Sequence, residues 1–124
     1  FHDQVGYWLW EPATGLLLQS LTIPRGQALL AAGRAQADDT RFTVTATRGA
    51  TAYGIVSNGF LEEAFRTDHY RCTVVIHGAD SWSYELSTTL VIPGLEAPFD
   101  HHDSNTLSRV APPEPNPLAL ASED

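Results

Sequence analysis

Apolar and polar residues alternate with a period of two in short runs, and clusters of turn residues separate those runs. This is the pattern of half-buried β-strands, in which successive side chains point to opposite faces of a sheet. Val5 to Glu11 ends at Pro12-Ala13-Thr14-Gly15, Leu16 to Ile23 ends at Pro24-Arg25-Gly26, and Gln27 to Ala35 ends in the polar stretch from Gln36 to Thr40. Proline and glycine supply the backbone angles of tight turns, so these three runs predict a meander. Arg41 to Arg48 follows, with Phe42, Val44 and Ala46 on one face and Arg41, Thr43, Thr45 and Thr47 on the other.

Tyr53 to Ser57 predicts a further short strand, and Phe60 to Arg66, after Asn58-Gly59, is the one segment with a helical turn. His69 to His77 and Ser81 to Ile92 flank Gly78-Ala79-Asp80, a three-residue hairpin connection with glycine free to take an unusual backbone angle. A last strand runs from about Phe99 to Val110. Beyond it, Ala111 to Pro117 has four prolines in seven residues and cannot donate a regular ladder of hydrogen bonds, which predicts an extended tail or strap. About eight strands with hairpin-like links make an all-β protein. An antiparallel up-and-down β-barrel is expected over residues 1–110, with a Pro-rich tail over 111–124, since a barrel removes sheet edges and encloses a pocket.

With 124 residues the chain has the size of one domain with a real core. Seven arginines, no lysine and fifteen carboxylates give a formal charge of −8, which repels phosphate backbones and anionic membrane surfaces. Neither nucleic-acid binding nor a membrane span is expected, since no apolar run reaches the ~20 residues that cross a bilayer. The single cysteine, Cys72, rules out an intrachain disulfide framework and fits a reducing, cytoplasmic setting. It shares an alternation with Tyr70, Val74 and Ile76, where a buried small hydrophobe is expected. The chain has no methionine, and its first residues already read as the start of a strand, so a preceding part of a longer protein is expected.

His101 and His102 are the candidate chemistry. Adjacent strand residues face opposite ways, so the pair offers one inward imidazole and not a chelate. No second His or Cys pair lies at zinc-like spacing. Phosphate-cradling glycine loops and Gly-x-Ser-x-Gly are missing as well, so no standard nucleophile is offered. Asp38-Asp39 and Glu62-Glu63 read as solvated surface. Trp8 and Trp10 share one face, and Tyr7 and Leu9 the other. Whichever pair faces outward would lie under the proline tail or against a partner subunit.

Three local patterns, in this order, carry a resemblance. Phe1-His2-Asp3-Gln4-Val5-Gly6-Tyr7 is similar to a His-x-Glu-x-Gly-aromatic strand opening, with Gln4 in place of Glu. Leu18 to Gly26 resembles an apolar run into a Pro-x-Gly turn. Pro98 to Val110 resembles a final strand in which a His four residues after a Pro ligates iron. Together they resemble the nitrobindin family, haem-binding β-barrels that are also fatty-acid-binding-protein-like and lipocalin-like in architecture.

The resemblance implies haem b as cofactor and His102 as its axial ligand, with His101 taking that place after a one-residue slip. His2, Ile23, Phe42, Tyr84 and Leu107 are the other residues expected around the cofactor, and Val44, Tyr70, Trp82 and Leu86 are further candidates to line the slot. All of them equally suit an ordinary core. The family's Gly-x-Trp-x-Gly strand is absent, so the barrel would lack its first strands and leave an open edge that a second copy, as a homodimer, would cover. Ile23 stands where several members carry a distal His, which removes a hydrogen-bond donor.

Three functions remain open at this point. The first is a barrel that binds a hydrophobic or amphipathic ligand, with haem as the expected one. The second is a ferric-haem peroxynitrite isomerase or nitric-oxide-binding protein, and the third a haem-free carrier or structural barrel.

Overall fold

A computed structural model describes residues 3–120. Eight strands make one sheet: β1 (Val5–Glu11), β2 (Leu16–Ile23), β3 (Gln27–Arg34), β4 (Arg41–Arg48), β5 (Gly54–Ser57), β6 (Arg66–Ile76), β7 (Ser81–Val91) and β8 (Phe99–Ser108). Two short helices, α1 (Gly59–Ala64) and α2 (Pro117–Leu120), complete it. The expected all-β architecture is what forms. The sheet curls strongly into a half-barrel, and its edge strands β1 and β8 have no strand along their outer edges among the described residues.

Seven of the eight strand pairings are antiparallel, and the order β1-β2-β3-β5-β4-β6-β7-β8 looks at first like a crossover. The register removes that impression. Gly33 and Ala32 of β3 pair with Val44 and Thr45 of β4, while Leu29, Ala28 and Gln27 pair with Ile55, Val56 and Ser57 of β5. After an excursion over residues 49–53, strand β5 takes over from β4 as the partner of β3, its start lying parallel to the end of β4 at Thr47–Gly54 and Arg48–Ile55. The excursion is closed by Thr47 N–H donating to the Tyr53 carbonyl at 3.2 Å, with Gly49 and Tyr53 both at positive φ. Up-and-down connectivity survives.

Helix α1 starts one residue before the expected Phe60–Arg66 turn, because Asn58 caps it, and ends at Ala64, because β6 begins at Arg66. The Asn58 side chain accepts from Leu61 N–H, and its amide donates to the Arg25 carbonyl, which ties the helix to the β2–β3 turn. Strand β6 begins at Arg66, three residues before the alternation suggests, because its register shifts between Thr67 and His69. A bulge there breaks the period-two pattern, and the Arg66–Asp68 ion pair at 2.7 Å spans it. The proline segment is not extended throughout: its end turns into α2, and Val110 and Leu118 are exposed, so this part of the tail covers no apolar face.

Leu17, Leu21, Leu29, Ala31, Val44, Ala46, Tyr70, Cys72 and Val74 build the core on the concave face. Gly33 is required where β3 and β4 meet: a Cβ there would lie 1.9 Å from the Thr43 carbonyl oxygen. Gly33→Ala is therefore expected to destabilise the protein by roughly 2–3 kcal/mol, seen as a lower urea midpoint at unchanged slope.

Candidate functional site

The pleat gives the concave face to every second residue of each strand. Across the sheet the register aligns Gly6, Leu21 and Leu29, then Trp8, Gln19 and Ala31, and on the other half Ala46, Tyr70, Thr88 and His101. One end of this face is filled. Trp8 meets Phe42 edge-to-face at 5.9 Å, Trp82 lies 6.2 Å from Tyr84, and Phe42, Trp82, Tyr84 and Leu86 pack on the core. The Trp8–Trp10 pair is the inward one by register, with Trp10 Nε1–H donating to the Ala35 carbonyl at 2.9 Å; both rings remain partly exposed at this edge strand, though less so than Tyr7 and Leu9 on the other face.

The other end is open, and there a pocket of about 380 Å³ lies within the size range of small-ligand sites. Strands β2 and β3 give it one wall through Leu21, Ile23, Gln27 and Leu29. Leu86, Thr88, Leu90, His101 and Asp103 of β7 and β8 form the other, with Thr67 and Tyr70 of β6 between them and Gln4 and Arg25 at its margin. Residues from both edge strands' sides converge on one cavity only because the sheet curls.

The structure sorts the expected site residues into three groups. Ile23 and His101 line the pocket, as do Tyr70 and Leu86. Phe42 and Tyr84 share the concave face but lie at its filled end, and Leu107, opposite Trp82, lines a separate shallow cleft with Ile76 and Arg109. His102 stands on the other face. It is paired with Ser87, whereas His101 is paired with the inward Thr88, so the inward residue is His101 and not the expected His102. The difference is one residue of register, which in a strand reverses the side. His2 lies outside the described residues.

The site's polar groups are mostly ones the sequence does not single out. Tyr70, 3% exposed, donates from its hydroxyl to Gln19 Oε1 at 2.9 Å, so both buried groups are satisfied. Burial holds the Tyr70 phenol far above its ordinary range and raises the neighbouring Cys72 thiol too, so both stay protonated. Gln27 Nε2 donates at 3.0 Å to both Ser57 Oγ and Thr67 Oγ1. By contrast, neither His101 ring nitrogen is engaged in a hydrogen bond among the described residues, and no three His, Cys, Asp or Glu side chains there gather around a common point. Gln27, Thr67 and Thr88 escaped the sequence reading because an isolated polar residue on a strand carries no signal until its facing strands are known.

A half-barrel with a largely apolar cavity and, among the described residues, the inward imidazole of His101 has the architecture of a small-ligand-binding β-barrel. A family model described as THAP4-like, heme-binding beta-barrel domain matches residues 1–109, and the chain belongs to that family. The resemblance drawn from the sequence therefore holds. Neither the curated proteins nor the solved structures give a match.

Two outcomes follow from the buried Tyr70–Gln19 bond. Tyr70→Phe leaves the Gln19 carbonyl unsatisfied and is expected to cost roughly 1–3 kcal/mol in urea unfolding. Because burial raises the Tyr70 pKa from its ordinary 10.0, the unfolded chain gives up that proton first, so stability falls as pH rises above 10.0. Tyr70→Phe loses that part of the alkaline slope.

Proposed function

We propose that the open end of the concave face binds haem, with His101 as the axial ligand. The observation that carries this reading is an inward imidazole, His101, that makes no hydrogen bond among the described residues and is set in the wall of a largely apolar pocket in a member of a heme-binding family. Leu21, Ile23, Leu29, Leu86 and Leu90 offer the flat macrocycle an apolar slot, and the open margin leaves room for propionates beside Arg25. Arg25 is the one arginine of the lining, which suits a carboxylate. Haem would supply the iron chemistry there, while His101 would hold the iron and the chain would give it an apolar surround and access.

Binding is the primary reading, and turnover of nitrogen oxides the lesser one. Ile23 on the wall across from His101 has no proton to give, so the residue that some relatives use for polar stabilisation is missing at that position. A haem-free carrier of another apolar molecule is the outcome to be tested against.

Titration of the protein with ferric haem, followed in the Soret region, tests the proposal. Wild type and His102→Ala are expected to give the same sharp one-to-one band, and His101→Ala to lose at least about 10-fold in affinity, the scale on which even outer partners of a ligand act. A band lost only in His102→Ala contradicts the assignment of the ligand. No band in any of the three overturns the haem reading and leaves the carrier.

A further inference from the structure

Among the described residues Asp103 is the one carboxylate in the pocket lining, and it follows His101 by two positions on the inner face of β8. Two residues of strand rise set their backbone roots roughly 6–7 Å apart, a gap that an imidazole and a carboxylate span between them. The residue paired with Asp103 is Leu86, so nothing directly opposite accounts for a charge at this position.

The carboxylate is held from the side away from His101. Asn105 Nδ2 donates to the Tyr84 hydroxyl at 3.0 Å, and that hydroxyl donates on to Asp103 Oδ2 at 3.3 Å. Because Tyr84 is paired with Asn105, this bond draws one oxygen toward the filled end of the face. The other oxygen, Oδ1, accepts nothing among the described residues, and His101 forms neither a hydrogen bond nor an ion pair there. A neutral imidazole always keeps one N–H. A donor without an acceptor and an acceptor without a donor thus occupy successive inward positions of one strand.

An imidazole that binds a metal through one nitrogen carries its proton on the other, and a carboxylate that accepts that proton's hydrogen bond fixes the ring and raises its basicity. Other inward neighbours of His101 serve this purpose less well. Phe99 has no acceptor, the Tyr70 hydroxyl is committed to Gln19, and Thr88, paired with His101, offers only a neutral hydroxyl. A charged acceptor makes the stronger bond.

We propose that Asp103 is the positioning residue of His101: with one ring nitrogen on the iron, the carboxylate accepts from the other N–H, orients the ring and strengthens its donation, which favours ferric over ferrous iron. The inference rests on the haem reading above and adds how the chain sets the oxidation state of that site. Tyr84 and Asn105 keep the carboxylate on the inner face, within reach of the ring.

Resonance Raman spectroscopy and a redox titration of the haem-loaded protein test this role. Asp103→Asn keeps the shape of the side chain at an exposed strand position and removes its charge. It is expected to shift the ratio of ferric to ferrous haem affinity about 10-fold toward ferrous, a midpoint potential about 59 mV higher, and to lower the iron–histidine stretching frequency of the ferrous form. Thr88→Val is expected to leave both at their wild-type values. Unchanged potential and frequency in Asp103→Asn, with a normal Soret band, overturn this inference alone, as does a Thr88→Val variant that reproduces the two shifts. A shift of potential without one of frequency marks a charge acting through space and also overturns the positioning role. A wild type without a Soret band, or with one that survives His101→Ala, overturns it together with the reading on which it rests.

Discussion

Everything at the site depends on strand register. A pleated strand gives each face every second residue, so the pairing of β7 with β8 decides at once that Phe99, His101, Asp103 and Asn105 look inward and that His102 and Ser104 look outward. The pairing is held by side chains as well as backbone. On the inner face Tyr84 reaches both Asp103 and Asn105, at 3.3 and 3.0 Å, and Arg109 donates to the Ala79 carbonyl of the β6–β7 turn and pairs with Asp80. A slip by one residue would exchange the histidines and bring Ser104 rather than Asp103 to Tyr84.

The curl of the sheet then sets where a ligand fits. Large rings fill one end of the concave face through Trp8, Phe42, Trp82 and Tyr84. Toward the other end the inward residues shrink or become polar, as with Ala46, Gln27, Thr67 and Thr88. The same face is thus core at one end and cavity at the other, and the buried Tyr70–Gln19 bond spans from β6 to β2 beside the cavity. Stability and function share one surface.

Much of the fold was legible because alternation and turn chemistry agree. Strands β1, β2 and β4 lie where the pattern places them, and Gly78-Ala79-Asp80 joins β6 to β7 as expected. What the pattern could not show is non-local. The kinship of β4 and β5 is visible only in the shared partner β3, and the start of β6 is hidden by a bulge. For the site, the histidine pair and Ile23 were legible, but the inward member was not. Pro93-Gly94 marks a turn, closed by Leu95 N–H donating to the Ile92 carbonyl, but residues 95–98 separate it from β8 and leave the register open. Gln27 and Thr67 acquire meaning only when β3 and β6 meet across the concave face.

The most direct measurement of the central claim is a heteronuclear NMR titration with gallium protoporphyrin, a diamagnetic stand-in for ferric haem. If the open end of the concave face is the binding site, shifts concentrate on Leu21, Leu29, Leu86, Leu90 and His101, while Ser87, His102 and the filled end around Phe42 move little. Shifts confined to His102 and its outward neighbours, or spread evenly over the sheet, would contradict it.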